Sequence, residues 1–204
     1  MKLIKFLLPA LIVMVIACKH KSNTPAAATV PDPQDSVSSG SFLPVAEFIK
    51  NDITRVDSFS GGILRKAITN GKKDSAYIQL PGFHQLANQF LLPELDSASF
   101  RAHFTESSLM DETTEMLNFI YTPKQANWPL QKVMVYVSPA TTGDKVDRIY
   151  MEKDFTRGDT SFHQKLTWKS GEYFYIISLE QPNNGPAVTS IDKVIWDPQH
   201  FSEE

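Results

Sequence analysis

The apolar residues of this 204-residue chain change period near residue 112, and that change limits the folds available to it. Before residue 112 they recur at helical spacing, and after it they alternate with polar residues as in strands. The clearest strand is 162–169, in which one face carries Phe162, Gln164, Leu166 and Trp168. A strand of this kind buries one face and leaves the other in water, which predicts an antiparallel sheet.

Six segments from residue 112 onward predict strands joined by short connections. They cover residues 112–121, 132–138, 145–153, 162–169, 172–180 and 188–196. The stretch Phe174–Ile177 is apolar on both faces, so its strand should be central in the sheet. Asp197-Pro198 ends the last strand, and we expect the residues after it to fray.

The first part of the domain predicts three helices and a hairpin. Pro44 suits the first turn of a helix whose apolar face carries Val45, Phe48, Ile49, Ile53 and Val56. A second helix begins at Pro81, with a stripe made of Phe83, Leu86, Ala87, Phe90 and Leu91. Asp96 is placed to cap a short third helix through Phe100 and Phe104. Asn70-Gly71 predicts a β-hairpin of residues 63–69 and 75–80.

These elements predict an α+β fold: an antiparallel meander of about six strands with N-terminal helices packed on one face. The early hairpin either extends the sheet or forms a side layer. Asp52 lies on the apolar face of the first helix, seven residues after Val45. We expect it to reach solvent at the edge of that face; the alternative is a partly buried carboxylate with a partner.

The chain begins with a segment typical of an export signal. Lys2 and Lys5 precede the apolar run 6–16, which Pro9 interrupts. The run is too short for a hydrocarbon core of ~30 Å, which takes about 20 residues, and has the length of a signal-peptide apolar region. Its end, Val15-Ile16-Ala17-Cys18, resembles the lipobox of bacterial lipoproteins, although that family more often has Leu in place of Val15.

The resemblance implies a signal peptide of residues 1–17, cleavage before Cys18, and lipid on the Cys18 sulfur and new amino group. The alternative is an ordinary cysteine in an uncleaved membrane helix. Cys18 is the only cysteine, so no internal disulfide can form. The family carries three acyl chains, and two already anchor stably. In bacterial lipoproteins an Asp directly after the cysteine favours retention in the inner membrane, and in some Bacteroidota-type members an acidic cluster there sends the protein to the cell surface. Lys19 follows Cys18 here and no acidic cluster does, so the resemblance implies an outer-membrane anchor facing the periplasm.

Residues 18–41 form the lipidated cysteine and a tether, and residues 42–204 a single globular α+β domain. The tether is rich in Pro, Ala, Ser and Thr and has no apolar period, so it cannot offset its ordering entropy. Without residues 1–17 the chain has 18 basic and 23 acidic side chains, a net charge of −5. Nucleic-acid binding is disfavoured, because it needs a clustered basic face.

No pattern in the chain indicates a cofactor, metal or catalytic site. The five histidines (His20, His84, His103, His163, His200) form no zinc motif. Asp144, Asp147, Asp154 and Asp159 gather in loops near one hairpin, but lack the spacing of a calcium loop. Ser190 and Lys193 fit S-x-x-K, yet in a strand they point to opposite faces. His84 and His103 could serve a hydrolase only if the fold brought them together.

The aromatic residues allow two interpretations. Seven are spread over the predicted strands: Trp128, Trp168, Trp196, Tyr136, Tyr150, Tyr173 and Tyr175. Packing in the core is the simpler one. The other is a concave sheet face that stacks sugar rings or holds acyl chains.

The mature chain also resembles uncharacterised lipoproteins of Bacteroidota-type bacteria. The similarity rests on the segments 42–50, 70–75, 104–108 and 148–151. It implies a compartment and no activity. Three functions therefore stay open: a non-catalytic lipoprotein that binds a protein or envelope partner, a binder of a small lipid or sugar, and, last, a hydrolase.

Overall fold

The computed structural model describes residues 42–59, 61–139 and 145–202. Three helices are present in these ranges: α1 (Val45–Asp57), α2 (Leu80–Ala87) and α3 (Ser97–His103). The strands are β1 (Ile63–Thr69), β2 (Lys72–Ile78), β3 (Phe104–Asp111), β4 (Met116–Pro123), β5 (Leu130–Ser138), β6 (Lys145–Arg157), β7 (Thr160–Lys169), β8 (Tyr173–Pro182) and β9 (Val188–Ile195). Cys18, the tether and Asp144 lie outside the described residues.

All nine strands form one antiparallel sheet in the order β2-β1-β9-β8-β7-β6-β5-β4-β3. Strands β3 to β9 follow each other as a meander. The early hairpin extends this meander, because β1 pairs with β9 from Leu64↔Ile195 to Thr69↔Ser190. Its turn uses Asn70 (φ 48°) and Gly71 (φ 80°), the two left-handed residues of the tightest hairpin connection.

The α+β class and the antiparallel meander are confirmed, but the count of about six strands is wrong. The extra strand of the meander is β3, in a region where we predicted the end of the third helix. Its Thr-Glu-Ser-Ser start has weak strand preference, and as an edge strand β3 needs only one partner. β4 begins at Met116 rather than residue 112, because Glu115 takes a left-handed turn conformation (φ 54°).

The helices do not form one N-terminal block, since β1 and β2 lie between α1 and α2. They do share one side of the sheet. Leu43 N, just before α1, donates to the Tyr121 hydroxyl at 3.1 Å, Phe83 of α2 packs on Phe174 at 5.8 Å between ring centroids, and Phe100 of α3 packs on Tyr121 at 4.7 Å. We call this side of the sheet the helix face and the opposite side the open face.

The core between helices and sheet is filled by interlocking aromatic rings. Trp168 lies 5.1 Å from both Phe90 and Phe174 and 5.5 Å from Trp196, measured between ring centroids. These four side chains are 6% exposed or less. Edge-to-face and offset ring contacts each add about 0.5–1.5 kcal/mol beyond the burial of apolar area. Trp168 and Trp196 therefore belong to the core, as the simpler interpretation predicted, and Phe174 packs there with them.

The end of the chain is ordered through Ser202, which corrects our expectation that it frays after Asp197. Pro198–His200 forms a 3-10 turn, and the Asp197 carboxylate accepts a hydrogen bond from Gln199 N at 3.0 Å. His200 Nε2 lies 3.1 Å from Glu172 Oε2, and the Phe201 ring packs edge-on against Tyr77. These contacts hold the C-terminal turn against one end of the open face.

Candidate functional site

Asp52 is buried, which corrects the expectation that it reaches solvent. Its side chain is 2% exposed. Asp52 Oδ2 accepts hydrogen bonds from Trp168 Nε1 at 2.8 Å and from Gly171 N at 3.0 Å. Oδ1 lies 3.1 Å from Arg55 Nη2, an ion pair without the geometry of a directed hydrogen bond. The carboxylate thus fixes α1 to the β7–β8 turn, and its role is structural.

The histidines are held in separate places. His84 Nε2 lies 2.6 Å from Asp57 Oδ1, with both side chains about 40% exposed. His163, on the open face, is 56% exposed and pairs with Asp154 at 2.8 Å, in line with a solvated position. His103 stacks on Trp128 with 4.4 Å between ring centroids. His84 and His103 share no contact residue, so the pair named for a hydrolase does not form one cluster.

One serine does approach a histidine, but the geometry does not suit catalysis. Ser99 Oγ lies 3.4 Å from His103 Nδ1, while the Ser99 carbonyl oxygen lies 2.9 Å from the same nitrogen. A carbonyl oxygen only accepts hydrogen bonds, so Nδ1 carries the proton and donates it there. A nitrogen in that state cannot accept the serine proton. The Ser99–His103 contact is a local helical contact rather than a nucleophile–base pair.

The other candidate residues are also apart. Ser190 and Lys193 both lie in β9, three positions apart and therefore on opposite faces, as predicted. Asp147 binds Lys169 Nζ at 2.5 Å and Asp154 binds His163. No cluster of three or more His, Cys, Asp or Glu side chains suited to a metal occurs among the described residues.

The open face is the side of the sheet opposite the three described helices. Strand alternation and the pairing register assign its side chains, and cross-strand partners share a face. One row across the sheet runs through Lys193, Tyr175, Thr167, Tyr150 and Met134. A second runs through Ile195, Tyr173, Lys169, Arg148 and Tyr136. All four tyrosines in these rows are half-buried, so part of each residue stays accessible.

The charges of the domain are segregated between its two sides. The described residues carry 16 basic and 18 acidic side chains. Eight of the basic ones lie on the open face: Lys66, Lys73, Lys132, Lys145, Arg148, Lys165, Lys169 and Lys193. Six acids do: Asp111, Glu152 and Asp154 in the strands, Asp147 and Glu172 beside Lys169, and Asp74 in the lining of a groove. The open face is therefore net positive by two, while the remainder of the described domain is net negative by four.

Two of these cations contact aromatic rings. The Arg148 guanidinium lies 5.4 Å from the centroid of the Tyr136 ring, and Lys193 Nζ lies 4.7 Å from that of Tyr173. The Tyr150 hydroxyl donates to Glu152 Oε1 at 2.8 Å. Burial, and then the hydrogen bond to Glu152, raise the pKa of Tyr150, and burial raises that of Tyr173. Both phenols therefore stay neutral at physiological pH.

The aromatic residues thus divide between the two interpretations: Trp168 and Trp196 pack the core, whereas four tyrosines lie on the open face. Alternation in the sequence assigns each residue to a face. It cannot assign cross-strand neighbours, which depend on register, and so the basic and aromatic rows were not foreseen.

No described helix is long and apolar enough to cross a membrane. Cys18, the site of the predicted lipid, lies outside the described residues. No protein-family model matches the chain, and no curated protein matches it significantly. The geometry of the open face is therefore the main structural ground for a functional assignment.

Proposed function

We propose that this chain is a membrane-anchored, non-catalytic lipoprotein whose domain binds a partner in the periplasm. Residues 1–17 are the signal peptide, Cys18 carries the lipid, and residues 18–41 tether the domain to the outer membrane. The partner is a protein or a component of the envelope, and it binds the open face. The observation that carries the proposal is the charge segregation of the domain, which gives an overall acidic domain one basic, tyrosine-rich side.

Three physical arguments support binding at this face. Opposite charge on a partner steers its approach and sets its orientation. Tyrosines offer large contact area and a polar hydroxyl at low entropic cost, and are enriched at interfaces. The cation–π contacts pre-order Arg148 and Lys193, so less side-chain entropy is lost on binding.

The anchor is tested with Cys18→Ala in full-length protein. We expect this variant to remain unprocessed and unlipidated, because the acylated sulfur is absent. The measurement is metabolic labelling with a fatty acid, followed by membrane fractionation. A Cys18→Ala protein that still takes up label would contradict the lipidation site.

The binding face is tested by placing a photo-crosslinking amino acid at one of two exposed lysines in full-length protein in cells. Lys165 lies at the centre of the open face, and Lys50 lies on α1 on the opposite side. We expect ultraviolet-dependent adducts from position 165 that position 50 does not give. Equal adducts from both positions, or none from position 165, would show that the open face is not the binding surface.

A second candidate is a binder of a small lipid or sugar. The aromatic packing between helices and sheet fills the place where such a ligand is commonly enclosed. The observation that favours this candidate is a groove on the open face, which is lined by three lysines and two isoleucines.

A further inference from the structure

One end of the open face carries a short apolar row across three strands. Ile68 of β1 lies directly opposite Ile191 of β9, and Ile191 lies directly opposite Ile177 of β8. All three are half-buried. Adjacent strands are about 4.8 Å apart, so the row is roughly 10 Å long and runs perpendicular to the strands. Three aligned branched side chains form a continuous apolar floor at this end of the open face.

Lysines border this floor. Lys66 and Lys193 lie directly opposite each other in the register, two positions along the strands from Ile68 and Ile191 and on the same face. Lys73 of β2 lies opposite Ile68. A groove of about 430 Å³ is lined by these three lysines, Ile68, Ile191, Ala67, Ser75 and Asp74. Asp74 is the one acid of this lining, and one of its oxygens already accepts a hydrogen bond from Ser75 N at 2.9 Å.

The arrangement of the lysines favours an anion. Like charges directly opposite each other on neighbouring strands destabilise a sheet, and Lys66 and Lys193 occupy such a pair. Both also engage other groups of the chain, and the Tyr173 ring orients Lys193. The lining of the groove carries three lysines and one acid, and this excess of positive charge favours an anionic ligand. The apolar floor next to them suits a hydrocarbon chain, since burial of methylenes on Ile68 and Ile191 removes apolar surface from water.

We propose that this groove binds an amphiphilic anion, an acyl or alkyl chain that ends in a carboxylate or a phosphate. The head lies between Lys66, Lys193 and Lys73, and the chain lies along the isoleucine row towards Ile177. This inference rests on the proposed function in one respect: it specifies the chemical class of an envelope component that would bind the open face. A free fatty acid and a lipid phosphate share this chemistry.

The test is calorimetric titration of the mature chain, residues 18–204 with Cys18→Ser, below the critical micelle concentration of each anionic probe and below the solubility limit of decanol. We expect decanoate, decyl phosphate or both to bind, and hexanoate to bind at least tenfold more weakly than decanoate. Each fully buried methylene contributes about fourfold in affinity, and the open groove covers only part of the chain. If only decanoate binds, the natural ligand is a free fatty acid. If only decyl phosphate binds, it is a lipid phosphate. Decanol should bind at least fivefold more weakly than the better anion.

Two matched pairs of variants locate the site. Lys193→Gln should weaken binding at least fivefold, whereas Lys145→Gln, which removes the same charge elsewhere on the face, should change it less than twofold. Ile191→Asn should abolish binding, whereas Ile120→Asn, a half-buried position on the same face, should not. Melting curves show whether each variant is folded. If Ile191→Asn is not folded, the comparison of Lys193→Gln with Lys145→Gln tests the location of the site.

The inference is overturned if no probe binds, if decanol binds as well as the anions, or if Lys145→Gln weakens binding as much as Lys193→Gln. The proposed function fails separately, through equal or absent crosslinking at position 165. A partner crosslinked there without anion binding leaves the proposed function standing and removes this inference alone.

Discussion

Replacement of Asp52 by alanine should be among the most damaging single changes in the domain. The change leaves Trp168 Nε1 and Gly171 N without their acceptor, and Trp168 is 1% exposed. A hydrogen bond to a charged group contributes about 1.5–3 kcal/mol. The ion pair with Arg55 adds little, because the Arg55 side chain is 69% exposed. We therefore expect Asp52→Ala to lower the free energy of unfolding by about 3–5 kcal/mol, out of a typical 5–15 kcal/mol.

Asp52→Asn separates hydrogen bonding from charge. Both hydrogen bonds end on the same oxygen, Oδ2, so the amide oxygen of asparagine can accept both in its place. Neutral hydrogen bonds are roughly half as strong as charge-assisted ones, and we expect a loss of about 1–2 kcal/mol. Glu47→Ala is the control, since Glu47 lies on the same helix but is 59% exposed and pairs with Lys50 alone. It should change stability by less than about 0.5 kcal/mol.

The measurement is urea unfolding of the mature chain, followed by circular dichroism and tryptophan fluorescence. Equal slopes for wild type and variants allow the free energies to be compared. The structural role of Asp52 is refuted if Asp52→Ala costs less than about 1 kcal/mol, or if Asp52→Asn is as damaging as Asp52→Ala.

Two further stability predictions concern the hairpin turn and a buried lysine. Gly71→Ala should cost about 1 kcal/mol, because Gly71 has φ 80° and alanine pays to adopt that conformation even though its Cβ meets nothing within 4 Å. Gly82→Ala in α2, where the added Cβ makes ordinary contacts, should instead raise the free energy of unfolding by about 0.5–1 kcal/mol. Urea unfolding measures both variants, and equal effects of the two substitutions would contradict the reasoning. Burial lowers the pKa of Lys153, so the unfolded chain binds the proton more tightly and stability should rise with pH between the lowered value and 10.5. The free energy of unfolding measured between pH 8 and 10 checks this expectation. Lys153→Met should remove the rise with pH. A rise of the same size in that variant would show that Lys153 does not cause it.

The local elements were largely predictable because their causes are local. Pro44 and the Val45–Val56 stripe specify α1, and Asn70-Gly71 specifies the hairpin turn. The two-sided apolar pattern in 174–177 correctly placed β8 inside the sheet. Its second apolar face is not a second buried layer, however. Tyr173, Tyr175 and Ile177 form part of the half-buried open face.

Long-range pairing decided what the sequence left open. Asp52 is buried because α1 crosses the β7–β8 turn, and its donors Trp168 and Gly171 lie 116 and 119 residues away. β3 exists because β4 offers it a partner, although its own residues favour a strand weakly. Contacts of this kind depend on tertiary register, which no local periodicity encodes.

The sequence by itself determined the signal-like start, the α+β class and the alternation that gives each strand two unlike faces. Those properties follow from composition and period, which act over a few residues. Only the tertiary structure decided that eight basic side chains share one face with five tyrosines, and that Lys66 and Lys193 lie opposite each other beside the isoleucine row. Cross-strand neighbours are set by the register of nine paired strands, because the side chains that meet come from distant parts of the chain.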